Sequence, residues 1–188
     1  MTPRPASTRA IHLQPLGEDV PLEFLDSLAA ALARIFGLSC HVREWTPDIS
    51  AAFDAGCGQY YSTAILQQLM PLAALEDGVR LLGVTQEDLF VPVLTFVFGE
   101  AQLGGDCAVV SLHRLRQEFY GLPPDENLLL ERVVKEAVHE LGHTFGLRHC
   151  RDWQCVMAST HAVERLDLKR PDFCEACRRA IEAGNDEG

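Results

Sequence analysis

A chain of 188 residues, 47% apolar and 23% charged, has the material for one compact domain with its own core and too little for two full ones. Its formal charge of -11 argues against the basic stripe that tracks a phosphate backbone, so nucleic acid is not an expected partner. The most apolar-looking stretch, 21–38, is broken by Glu23, Asp26 and Arg34, short of the ~18 uncharged residues that a membrane span needs.

Arg9 to Leu16 alternates as a first strand would, and Leu22, Leu25, Leu28, Leu32 and Ile35 mark a helix over Leu22 to Phe36. Ser39 to Trp45 reads as a second strand. Pro47, Gly56 and Gly58 make Thr46 to Gly58 a loop, before a second helix over Tyr60 to Leu75. Three further strands are expected at Val79 to Thr85, Leu94 to Phe98 and Ala108 to Leu112, with Gly99 to Cys107 as the turn of a hairpin whose edge strand one of them forms. From Asn127 an apolar stripe through Leu129, Val133, Ala137 and Leu141 predicts a long helix ending near Gly146. A cysteine-rich, polar region follows to Arg179, and the tail from Gly184 is expected to fray.

The last helix carries the chemistry. His139 and His143 are four apart, so their imidazoles leave one face at neighbouring levels and can close on one ion, with Glu140 beside the first. Gly146 and His149 complete H-E-x-x-H-x-x-G-x-x-H, a metzincin signature: the glycine permits a sharp left-handed turn that returns the third histidine to the ion. Three neutral ligands suit a catalytic zinc with an open fourth position, and a neighbouring carboxylate can act as general base on a water there. Met157 is the candidate for the methionine turn that metzincins place beneath these ligands, although a methionine read alone is more often a core filler.

The chain holds seven cysteines, an odd number that fits free or metal-bound thiols in a reducing, cytoplasmic compartment better than a disulfide framework. The opening MTPRPASTRA lacks the apolar centre of a secretory leader. Cys150 and Cys155 form C-x4-C, and Cys174 and Cys177 form C-x-x-C, together enough for a closed tetrahedral zinc site. Disulfides and a thioredoxin-like redox pair are the rival readings. Cys40, Cys57 and Cys107 are isolated and read as small buried residues, and His12, His41, His113 and His161 as surface or hydrogen-bonded side chains.

Taken together, HELGHTFGLRHC, then CVM, then CEAC after sixteen residues resembles the archaemetzincin family, as do DLFVPVLTFVFGEA and VVSLHRLR between Val79 and Arg116. The family's usual spacing before the last C-x-x-C is seventeen, a difference one loop residue absorbs. The resemblance implies an α+β fold: a metzincin-like twisted mixed sheet of four or five strands, packed helices including the active-site helix, and a small zinc-stapled C-terminal part. It implies a single catalytic domain over 1–188, with sheet and active-site helix over about 8–149 and the cysteine-rich part over about 150–183. It further implies two zinc ions per chain: a catalytic one on His139, His143 and His149 with Glu140 as general base, and a structural one on Cys150, Cys155, Cys174 and Cys177. Met157 would then lie in the methionine turn, and Cys150 would limit the drift of His149.

The expected activity is zinc-dependent hydrolysis of peptide bonds by a cytoplasmic monomer acting on peptide or protein substrates, with substrate extended along an edge strand near Leu94 to Phe98. The alternative is a zinc-binding interaction module whose peptidase site is weak or silent. The sequence offers no evident oxyanion donor.

Overall fold

The computed structural model describes residues 10–17 and 20–186; the expected start of the first strand at Arg9 lies outside the described residues. A five-stranded sheet forms the centre, built from β1 (Ala10–Leu16), β2 (Ser39–Val42), β5 (Val79–Thr85), β8 (Gly99–Ala101) and β9 (Cys107–Ser111), in the order β2-β1-β5-β9-β8. β1 runs parallel to both neighbours and β5 parallel to β9, whereas β8 alone is antiparallel and closes one edge. All five residues of β9 are buried, as are six of the seven in β5, the near-continuous apolar character expected of strands covered on both faces.

The period of two along those strands sorts their side chains between two cores. Leu82, Val84, Ala108 and Val110 face α1 (Leu22–Phe36) and α3 (Glu126–Thr144), while Leu81, Cys107 and Val109 face α2 (Ser62–Ala73). α1 buries Leu25, Leu28, Leu32 and Ile35 at the expected helical spacing. α2 does the same with Ile65, Leu66 and Leu69.

A second sheet was not foreseen. β3 (Phe53–Asp54), β4 (Gln59–Tyr61), β6 (Leu89–Val91) and β7 (Leu94–Val97) pair in the order β3-β4-β6-β7. These strands of two to four residues are too short to show a period, and the glycines between β3 and β4 make the stretch read as loop. The run at Leu94 therefore belongs to the smaller sheet. The hairpin instead places β8 against β9, with Gly99 opposite Val110 and Ala101 opposite Ala108, inside the segment read as its turn. β2 stops at Val42, short of Trp45. The C-terminal region folds into α4 (Val163–Asp167) and α5 (Glu175–Asp186), the latter running past Gly184.

Candidate active site

α3 opens with the Asp125 side chain accepting from the Leu128 amide at 2.9 Å, and buries Leu129, Val133, Ala137, Val138 and Leu141 against the sheet and α1. Packing on that side fixes what the next residues face. His139 and Glu140 are buried and His143 is half-buried. The helix ends at Thr144, two residues before Gly146, whose φ of +87° places it in the left-handed region that reverses the chain. The Gly146 amide donates to the His143 carbonyl at 2.9 Å and the Leu147 amide to the Gly142 carbonyl at 3.1 Å. That reversal brings His149 back over the helix.

The three imidazoles converge. Ring centroids lie 4.6 Å apart for His139 and His143, 5.0 Å for His143 and His149, and 5.3 Å for His139 and His149. One nitrogen from each falls within 4.8 Å of the others. His139 Nδ1 donates to the Val156 carbonyl at 2.8 Å and His143 Nδ1 to the Leu147 carbonyl at 2.7 Å. Because a carbonyl can only accept, each Nδ1 carries the ring hydrogen and each Nε2 is left as a lone pair. Those two Nε2 atoms face each other at 3.1 Å. Two acceptors that close repel unless a cation lies between them, and ligands about 2.0–2.1 Å from a tetrahedral zinc are separated by about 3.4 Å. Burial holds the His139 pKa down at about 3, which favours the neutral ring that a metal would need.

Met157 packs beneath the helix. A Cβ added to Gly142 would meet Met157 Sδ at 2.4 Å, so the glycine between Leu141 and His143 is what allows the sulfur to approach. The backbone around Met157 touches both clusters: its carbonyl accepts from the Cys150 amide at 2.9 Å, and the adjacent Val156 carbonyl accepts from His139. Lys169, buried, donates from Nζ to that same Val156 carbonyl at 3.2 Å and to the Ala158 carbonyl. Sequence spacing had no means of singling out Lys169, which acts through contacts across a loop.

Glu140 and Glu136 are buried side by side, one helical turn apart on α3. Burial raises both, Glu136 to about 7, and the like charges of Glu136 and Glu100 raise Glu140 further, against the opposing pull of Lys169. Glu100, on β8, accepts from Ser62 Oγ and from Thr63 Oγ1 at 2.9 Å. Gly99 lets this edge lie on Glu140: a Cβ there would stand 2.7 Å from Glu140 Cγ.

The four cysteines form a second cluster. Cys150 and Cys174 sulfurs are 3.8 Å apart and those of Cys155 and Cys177 3.9 Å, with all four within 4.8 Å. Zinc–sulfur bonds of about 2.3 Å in a tetrahedron give an edge of about 3.8 Å, so the donor set fits that ion. Disulfide-length pairing is absent, and all seven cysteines are free thiols. The histidine and cysteine clusters are the two potential metal-binding groups among the described residues.

A cleft of about 260 Å³ runs between β7–β8 and α3, with the three histidines, Glu136 and Glu140 on one side. His161 also lines it, although nothing in its spacing marked it; the chain after Met157 brings it there. His12 and His41 instead stack edge to face at 5.6 Å on β1 and β2, and His113 does so with Phe119 at 5.3 Å. Among the isolated thiols, Cys107 is buried in β9, Cys40 is half-buried with its pKa pushed up to about 12, and Cys57 is exposed, in a turn where no core reaches it.

The sequence pattern of peptidase family M54 matches residues 48–183. The archaemetzincin of Methanocaldococcus jannaschii is 41% identical over 172 residues, covering 92% of each chain, and that of Pyrococcus furiosus 39% over 177 residues, again 92% of each. Among solved structures, the archaemetzincin of Archaeoglobus fulgidus, complexed with malonate, superposes with a TM-score of 0.78 at 40% identity, covering 91% of this chain and 99% of that one. A zinc-dependent peptidase from Methanocorpusculum labreanum gives 0.83 at 32% identity with the same coverage. With this sequence kinship and this fold, the chain belongs to peptidase family M54, the archaemetzincin family of zinc metallopeptidases.

Proposed function

We propose that His139, His143 and His149 hold the catalytic zinc, that Glu140 is the general base for hydrolysis of a peptide bond, and that Cys150, Cys155, Cys174 and Cys177 hold a second, structural zinc. The observation that carries the reading is the pair of Nε2 lone pairs 3.1 Å apart, each fixed by a carbonyl on the far side of its ring. Zinc, when bound there, polarises the scissile carbonyl and makes water acidic enough to lose a proton near neutral pH.

The side chains supply the rest. Glu140, adjoining the ligands and buried beside Glu136, takes the proton of the attacking water and returns it to the leaving amine; burial makes its carboxylate more basic than an ordinary one. The peptide lies extended along the edge strands that border the cleft, the strand at Leu94 and β8 beside it. Met157 and Gly146 shape the floor and the return of the third ligand. The protein acts as a single-domain cytoplasmic monomer without nucleic-acid or membrane partners; no helix among the described residues is long and apolar enough to cross a membrane.

Zinc counting together with a peptide-library digest tests this. Two ions per chain and cleavage by the wild type but not by Glu140→Ala are expected. One ion or none overturns the two-site assignment. Cleavage by neither protein, with both ions bound, overturns the peptidase role and leaves a zinc-binding interaction module.

A further inference from the structure

The edge of the histidine cleft is one run of chain that changes sheets. β7 ends the smaller sheet and, after Phe98, the chain continues as β8 at the end of the larger one. The two halves are held unequally. β8 pairs with β9 through Gly99, Glu100 and Ala101 in unbroken register. β7 pairs with β6, with Leu89 opposite Val97 and Val91 opposite Leu94, so Thr95 and Phe96 together face Phe90 and the ladder slips between its two ends. Leu94, Phe96 and Phe98 nevertheless line the cleft.

Side chains supply what that ladder lacks. Gln59, buried on β4, donates from Nε2 to the Thr95 carbonyl at 3.0 Å and to Asp88 Oδ2 at 2.9 Å. Arg114, in the turn His113–Leu115 that follows β9, donates from Nε to Asp88 Oδ1 and from a terminal nitrogen to Asp88 Oδ2, both at 2.7 Å. Its guanidinium carbon stands 4.4 Å from the centre of the Phe96 ring and 4.8 Å from that of Phe119. The turn itself is fixed to the larger sheet, since Leu115 is in the main core and the Leu112 amide donates to the Thr85 carbonyl at 2.8 Å. Arg114 thus ties the loose half of the edge to the fixed half. We propose that Arg114 is a positioning residue for substrate: through Asp88 and Phe96 it sets β7 at the height at which an extended peptide paired with β8 can go on pairing. The inference rests on the reading that peptide lies along this edge. A lysine does not replace it, because one ammonium cannot fork to both oxygens while lying flat on a ring. Binding gained along the edge is made in the ground state and the transition state alike, so its loss appears in KM and leaves kcat.

The test compares zinc-loaded wild type, Arg114→Lys, Asp88→Asn and Phe119→Leu on capped peptides lengthened one residue at a time on either side of the cleaved bond. For the wild type, lengthening on one side should lower KM by at least about tenfold. Arg114→Lys and Asp88→Asn should each remove most of that gain, and the double variant no more than either alone, because the fork acts as a unit. Phe119→Leu, at an exposed ring, should remove a smaller part. The kcat on every peptide, the KM on the shortest and the retention of both zinc ions should be unchanged. No gain with length in the wild type, a full gain in Arg114→Lys, an equal rise in KM for short and long peptides, a fall in kcat, or loss of either ion would overturn the proposal. If the wild type cleaves no peptide, the peptidase reading fails by itself; calorimetric titration of the same peptides into Glu140→Gln, with and without Arg114→Lys, then still decides whether Arg114 governs binding along the edge.

Discussion

The histidine and cysteine clusters are neighbours in the chain, joined at His149 and Cys150, yet the fold holds them by different means. His139 and His143 project from a nineteen-residue helix whose other face is in the main core, and each ring is oriented by a backbone carbonyl. The cysteine sulfurs come from a loop and from the first turn of α5, and the contacts that orient them are chiefly to one another, with the Cys174 amide donating to Cys155 Sγ at 3.3 Å. One cluster is prepared by the fold. The other is held chiefly by contacts among its own sulfurs, so an ion bound there would contribute folding energy directly.

The sharpest separation of the two is kinetic. Glu140→Gln should lower kcat/KM by about 10²- to 10⁴-fold, the range for loss of a general base, with both zinc ions retained and the melting temperature little changed. Cys155→Ser, at a fully buried sulfur, should release one zinc and lower stability by roughly 3–5 kcal/mol, read by denaturant unfolding, whereas His149→Ala should release the other zinc at a cost of about 1 kcal/mol or less. Equal losses from the two substitutions would erase the distinction between a prepared site and a self-closing one.

Smaller effects probe the floor beneath the histidines. Gly142→Ala must displace Met157 and should cost about 1–3 kcal/mol, with chelator extraction of zinc from the histidine site accelerated. Glu136 gives a pH signature. Its pKa is raised by burial from 4.5 to about 7, so the folded state disfavours its charge: the stability it contributes is intact below about pH 4.5 and is lost as pH rises to about 7. Glu136→Gln should therefore raise the melting temperature above pH 7, by the equivalent of about 1–3 kcal/mol, and leave it nearly unchanged at pH 4. At the small end, Glu175→Ala breaks an exposed pair with Arg179 one turn along α5 and should change stability by about 0.5 kcal/mol or less; a larger loss would mean that the helix carrying Cys177 depends on its surface.

Much of this architecture was legible before any coordinates. α1 and the heart of α3 follow from helical spacing, β1 from its alternation and β5 from a short apolar run bounded by glycine, since each element shows its pattern within its own length. β3, β4, β6 and β8 did not show, because two or three residues cannot display a period, and β4 and β6 in addition pair across a long stretch of chain. Reading Gly99 to Cys107 as a turn missed β8 for that reason. It also hid the close approach of Gly99 to Glu140, the contact that brings a sheet edge to the candidate base.

The sequence by itself singled out the histidine and cysteine clusters, because a helix repeats every 3.6 residues and a C-x-x-C turn can span one ion, so the grouping of these side chains is encoded in spacings of three and four. Tertiary structure alone decided that Val156 orients His139 and receives Lys169, that Glu100 stands by Glu140, and that His161 lines the cleft. Those contacts join residues that lie in different elements and loops, beyond the reach of one helix turn. No local spacing records which face such a loop presents, and only the closing of the core around α3 fixes it.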